Sequence, residues 1–193
     1  MIYQGQEAGL KGAGVPANRE AIWLTGFDTN SDLYQWIKLM NQIRRQAINT
    51  NSDYLGYQSH VIYSDDSTIV FRKGVEGRQI VTVLGSGGEK TGPYELSLST
   101  AFTTGTDVTD VVSCNNYTVN AYGQLKLPMG GGMPFVLYPA TKMNGSMLCG
   151  FGNVSTQELK ATKGGAESSA KGAWIAVLGS VVAVGAVVAG LSI

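Results

Sequence analysis

Histidine occurs once in the 193 residues, at His60, and cysteine twice, at Cys114 and Cys149. Two cysteines cannot complete a tetrahedral zinc site alone. A lone histidine opening a strand pattern is more often a packed or exposed ring than a ligand. Neither sign of charge is in excess: 14 basic and 14 acidic residues give a formal net charge of zero. That removes the electrostatic argument for nucleic acid or an anionic surface as a partner. No internal repeat of fixed period is present. The opening residues Met1-Ile2-Tyr3-Gln4-Gly5 offer neither a basic n-region nor an apolar h-region, so they do not read as a secretory signal. Either the chain uses another route or Met1 is an internal methionine of a longer sequence; the second is the expectation.

What is present begins at the other end. The last 21 residues, Ala173 to Ile193, carry no charge. A helix of that length rises far enough to cross a bilayer. No Lys or Arg follows the run, so a basic cytoplasmic anchor is missing. Upstream stand Gly164, Gly165 and Ala166, then the polar stretch Glu167 to Gly172, which includes Ser168. Small residues, a polar spacer and a terminal apolar tail form the pattern of a GPI-attachment signal. Gly164, Gly165, Ala166 and Ser168 are the candidate attachment residues. An ordinary single-span tail is the competing reading.

Three N-x-Ser/Thr sequons, at Asn116, Asn144 and Asn153, mark candidate N-glycosylation sites. They lie in the half that holds both cysteines. Cys114 and Cys149 stand 35 positions apart, and a bridge between them in an oxidising compartment would contribute ~3–4 kcal/mol. In a cytosolic protein two buried thiols would be the default. These features together lead to the expectation of an extracellular, cell-surface or cell-wall protein held at the plasma membrane by a GPI anchor.

Glycine is abundant, at 26 residues. Without the tail and its linker roughly 155 residues remain, enough for one core. Met1-Ile2-Tyr3 reads as the end of a buried strand, followed by a long connection punctuated by Gly5, Gly9, Gly12, Gly14 and Pro16. Ser31 is a plausible N-cap and Asp32 suits a first turn. Leu33, Trp36, Ile37 and Met40 share one helical face, Ile43 and Ala47 extend it, and Arg44 and Arg45 suit a last turn. From about Tyr54 the period becomes two. His60–Tyr63 and Thr68–Arg72 read as a hairpin around Asp65-Asp66, an acidic pair better read as a turn than as an acid/base dyad. Arg78–Leu84, Tyr94–Leu98, Val108–Val112, Tyr117–Ala121, Gln124–Leu127 and Pro134–Tyr138 follow as short strands. Such spacing predicts an antiparallel sandwich.

Ile2-Tyr3-Gln4-Gly5-Gln6-Glu7, followed by Pro16-Ala17-Asn18-Arg19-Glu20-Ala21-Ile22-Trp23-Leu24, resembles the C-terminal part of fungal extracellular α-amylases of glycoside hydrolase family 13. Arg72-Lys73-Gly74, the run Gln79 to Leu84, and the segment from Pro128-Met129 to Val136-Leu137-Tyr138-Pro139 resemble that family's C-terminal β domain. With the tail, the chain is most similar to the GPI-anchored branch of α-amylase-like proteins, which includes 4-α-glucanotransferases. The resemblance covers about residues 1 to 150. It implies an α+β arrangement: 1–48 as the last strand and helix of a (β/α)8 barrel, 49–150 as an all-β antiparallel sandwich, 151–172 as a linker and 173–193 as the hydrophobic tail. It also implies a Cys114–Cys149 disulfide.

The family's chemistry is retaining cleavage of α-1,4-glucans by two carboxylates ~5–5.5 Å apart, with water or a sugar hydroxyl as acceptor. By resemblance the catalytic carboxylates and calcium ligands belong to earlier barrel strands and are not in this sequence, so no catalytic or metal-binding residue is assigned and the chain as given is not expected to be catalytic. The substrate would be a starch-like or cell-wall α-glucan, and the protein a monomer. Arg19 matches a family arginine that contacts glucose hydroxyls; Val15 stands where the family has the accompanying Asp. Arginine gives paired hydrogen bonds to sugar oxygens and valine gives none. A structural ion pair of Arg19 with Glu20 or Glu7 is the competing reading. Trp23 and Tyr3 read as core or pocket wall. Two other functions compete: a surface-anchored carbohydrate-binding module, with Tyr54, Tyr57, Tyr63, Tyr94 and Tyr117 as a possible sugar platform, and a non-functional remnant.

Overall fold

The computed structural model describes residues 2–12, 14–16 and 19–152. The linker from 153 and the apolar run 173–193 lie outside them, as do Asn153 and the attachment candidates Gly164, Gly165, Ala166 and Ser168. Among the described residues no helix is long and apolar enough to cross a membrane.

The expected strand end at the N-terminus does not form. Ile2 and Tyr3 are irregular and exposed. A buried parallel strand needs ladder partners on its edges, and among the described residues no strand pairs with this segment. The described residues between 2 and 31 form turns instead, with short 3-10 helices at Gln6–Ala8 and Ile22–Thr25.

Helix α1 spans Asp32–Thr50. Ser31 caps it as expected: its Oγ accepts from the Tyr34 amide at 3.4 Å and donates to the Glu7 carbonyl at 3.0 Å. The helix continues past Ala47, so Arg44 and Arg45 fall short of its last turn, which holds no basic residue. The predicted stripe is only partly covered. Ile43 and Ala47 are buried, Trp36, Ile37 and Met40 are half-buried, and Leu33 remains 44% exposed. The C-terminal half docks because the β domain supplies partners there. Buried Gln46 donates Nε2 to the carbonyls of Lys142 at 2.7 Å and Asn144 at 2.9 Å. Arg78 donates to the Thr50 carbonyl at 3.0 Å, and the Thr50 and Tyr138 hydroxyls share a 2.6 Å bond.

Eight strands follow: β1 His60–Ser64, β2 Thr68–Lys73, β3 Ile80–Gly85, β4 Tyr94–Leu98, β5 Asp107–Asp110, β6 Asn116–Thr118, β7 Leu125–Met129 and β8 Phe135–Pro139. Six pair antiparallel in the order β1-β2-β3-β8-β5-β6, and β4 pairs with β7 in a second sheet. The expected sandwich is therefore present. Val70, Val81, Val83, Val108 and Leu137 of the large sheet pack with Leu96, Leu98, Leu125, Leu127 and Met129 of the small one. On the other face Ile80, Val111, Val136 and Tyr138 pack with Ile43 and Ala47 of α1 and with Tyr54, Met143 and Leu148. Strand β8 is covered on both faces, and all five of its residues are buried; its unbroken apolar run follows from that. Strand β7 is covered on one face and alternates.

The turn residues set the geometry of the loops. Asp65 closes the β1–β2 hairpin by accepting from the amides of Ser67 at 2.8 Å and Thr68 at 2.7 Å. Gly132 adopts φ 73°, and a Cβ there would lie 2.5 Å from the Gly88 carbonyl carbon, so only glycine lets these two loops approach. Cys114, in the β5–β6 turn, is bonded to Cys149, with Cα atoms 5.2 Å apart.

Candidate functional site

A polar cleft of about 490 Å³ opens among the N-terminal turns, lined by Tyr3, Gln6, Lys11, Arg19, Glu20 and Trp23 among others. Local hydrogen bonds build it. Tyr3 donates its amide to Gln6 Oε1 at 2.6 Å, the Gly12 amide binds Glu20 Oε1 at 3.1 Å, and the Arg19 amide binds the Pro16 carbonyl at 3.1 Å. Of the two positions singled out by sequence, Arg19 lines this cleft. Val15 does not; it is 75% exposed outside the lining.

The competing reading, an ion pair of Arg19, does not form among the described residues. Glu20 is engaged by Gly12, and Glu7 Oε2 accepts from the Gly5 amide at 3.1 Å. Among the described residues the only salt bridge joins Lys126 to Glu95, at 2.7 Å, in the small sheet. Both partners are well exposed, so that pair contributes little. Arg19 thus presents its donors to a cleft whose walls include the exposed rings of Tyr3 and Trp23. Both rings are pocket wall rather than core. Aromatic faces and a planar donor are groups that recognise a polyhydroxyl ring.

The tyrosines of the β domain do not make a common platform. Tyr54 is buried, Tyr63 and Tyr117 pack against the inner core, and the Tyr94 hydroxyl is tied to Thr68 at 3.1 Å. Burial raises the hydroxyl pKa of Tyr54, Tyr117 and Tyr138. Asp65 is held below the usual carboxylate range, first by the Ser67 amide and then by the Tyr63 hydroxyl. A general acid needs the opposite shift, so Asp65 serves the turn. His60 opens β1 with its ring edge-on to Tyr57, centroids 5.7 Å apart. Among the described residues no three His, Cys, Asp or Glu side chains gather as a metal site. No step is assigned to calcium.

Sequence reasoning missed Asp110. It is 1% exposed yet carries a carboxylate. Oδ1 accepts from the amides of Val136 at 2.9 Å and Val112 at 3.3 Å, and Oδ2 from the Ser113 amide at 3.0 Å and hydroxyl at 2.6 Å. The side chain continues the β5–β8 ladder where the main chain turns toward Cys114. Only its place at the end of an apolar strand, before Ser113 and Cys114, hinted at this.

A family model described as "Alpha-amylase, domain C" matches residues 61–157. The chain belongs to that family. Alpha-amylase 1 of Lipomyces kononenkoae is 47% identical over 150 residues, which cover 77% of this chain and 24% of that protein. Alpha-amylase 1 of Schwanniomyces occidentalis is 41% identical over 150 residues, covering 77% of this chain and 29% of that protein. An alpha-amylase structure from Malbranchea cinnamomea aligns with TM-score 0.69 and 36% identity, over 77% of this chain and 31% of that one. The chain spans less than a third of the length of these relatives. The all-β antiparallel domain is thus domain C of the alpha-amylase-like glycoside hydrolases, and its Cys114–Cys149 bridge is formed.

Proposed function

We propose that this chain is the C-terminal part of an enzyme acting on α-1,4-glucans by retaining hydrolysis or transglycosylation, and that its own contribution to substrate is the Arg19 cleft. The carrying observation is that Arg19, free of both its candidate ion-pair partners, lines a polar cleft walled by Tyr3 and Trp23. The similarity to whole alpha-amylases supports the substrate class. The chemistry itself is assigned to catalytic carboxylates outside this sequence. Valine at position 15 removes the carboxylate that the family pairs with this arginine, which favours altered subsite preference. The uncharged run 173–193 and the small residues 164–166 support a GPI anchor at an extracellular surface. The protein is read as a monomer.

The test is calorimetric titration of maltoheptaose into the chain and into Arg19→Ala and Arg19→Lys. A charged hydrogen-bond donor pair lost to alanine predicts weakening of roughly tenfold or more. Lysine should recover part of it as a point charge. Equal affinity of Arg19→Ala and the parent would refute the assignment.

A further inference from the structure

Asn116 and Asn144 are both exposed, and the hydroxyl of each sequon is engaged, Thr118 with Asp107 and buried Ser146 with the Leu148 amide at 3.1 Å; the two sequons differ in backbone, a paired strand for one and a turn for the other. Asn116 opens the edge strand β6, opposite Thr109 of β5. Its Oδ1 accepts from Thr109 Oγ1 at 2.7 Å, and its sequon threonine, Thr118, donates to Asp107 at 2.6 Å. Two residues before it, Cys114 is locked to Cys149. Asn144 instead sits at the tip of a turn closed by the Ser146 amide on the Met143 carbonyl at 2.9 Å, with Gly145 at φ 80°. The residue is exposed, and its carboxamide makes no hydrogen bond among the described residues. The base of the turn is fixed, because Gln46 donates to the carbonyls of both Lys142 and Asn144.

We propose that Asn144 is an N-glycosylation site and that Asn116 is left largely bare. Two independent features carry this. The formed disulfide is the chemistry of an oxidising, secretory environment, the compartment in which sequons are used. An acceptor asparagine belongs on a surface loop, and of the two described sequons only that of Asn144 is on one. The transferred group is an oligosaccharide carried on a lipid pyrophosphate. Asn144 Nδ2 forms the bond to its anomeric carbon, the lipid pyrophosphate leaves with the electron pair of the broken C–O bond, and one Nδ2 proton passes to the transferase. A strand already paired and pinned by a disulfide cannot offer Asn116 in that way once folded. The glycan would stand at the seam between α1 and the β domain. The inference is independent of the glucan reading.

The experiment is expression of the full chain behind an added secretory signal peptide in a eukaryotic host, followed by enzymatic deglycosylation in ¹⁸O-water and peptide mapping. Each released glycan leaves a labelled aspartate. Label at residue 144 in most molecules, several-fold above residue 116, is the expected result. Asn144→Gln should then remove one glycan from the intact mass, and Ser146→Thr should retain it. An unlabelled residue 144, or label at 116 equal to or above that at 144, overturns the proposal.

Discussion

Removing the Asp110 carboxylate tests whether this buried side chain carries the corner that holds the disulfide. Four hydrogen bonds end on it, three from main-chain amides. In Asp110→Ala the Val136 amide loses its acceptor, and Val136 is 3% exposed, so solvent does not reach it. A buried donor left unpaired costs about 1–3 kcal/mol. Val112 is half-buried and Ser113 exposed, and water partly replaces what their amides lose. The expected loss is about 4 kcal/mol, within the range for breaking one side of a buried charged network. Asp110→Asn keeps the shape and one oxygen but turns an NH2 toward an amide N–H, and about 2 kcal/mol is expected from the lost charge and the opposed donors. Urea unfolding followed by circular dichroism measures both. The midpoint should fall with the slope unchanged, and thermal midpoints should drop by roughly 10 °C and 5 °C. A loss below about 1 kcal/mol for Asp110→Ala would refute the reasoning, because it would mean the Val136 amide finds another acceptor.

The disulfide closes 35 residues, for which chain entropy predicts about 3.8 kcal/mol. The Cys114→Ser/Cys149→Ser chain should be less stable by that amount in urea, and a loss under about 1 kcal/mol at unchanged slope would contradict the entropic account. Asp65 has a lowered folded pKa, so its stabilisation is present above the unfolded carboxylate value of ~3.9 and is lost as pH falls through the folded value. Asp65→Asn should flatten the thermal-midpoint profile below pH 4, and a profile parallel to the parent's would count against the turn role.

The β domain was legible because its signals are local and redundant. Period-two patterning, an acidic turn at Asp65-Asp66 and glycine-rich breaks located all eight strands within a few residues. The cap at Ser31 was legible for the same reason. The extent of α1 was not, because its end is set by Thr50 meeting Tyr138, 88 residues away. Asp110 and Gln46 escaped notice because a buried polar residue looks like a surface one until its partners are known. Strand character at Ile2-Tyr3 failed in the opposite way. A barrel strand is a property of its neighbours, and the residues alone do not form it. Arg19 was found by motif, but its freedom from Glu7 and Glu20 emerged only from the turn hydrogen bonds that occupy both carboxylates.

These differences separate two kinds of stability along the chain. From Ile43 to Leu148 the helix end, the sheets and the disulfide share buried apolar contacts and long-range hydrogen bonds. Before Asp32, order rests mainly on bonds spanning a few residues, with Ser31 to Glu7 as the longer tie. That segment carries Trp23, Leu24 and Phe27 at 63–79% exposure, and Leu33 is 44% exposed at the start of α1. An apolar set of this density is what a covering surface would bury. It lies on the same segment as the Arg19 cleft. Short turns position Arg19, and a sugar subsite needs its donors held within a fraction of an ångström. On the proposed reading the cleft and its exposed apolar surroundings belong to one requirement: a surface that covered Trp23, Leu24, Phe27 and Leu33 would also hold the arginine in place.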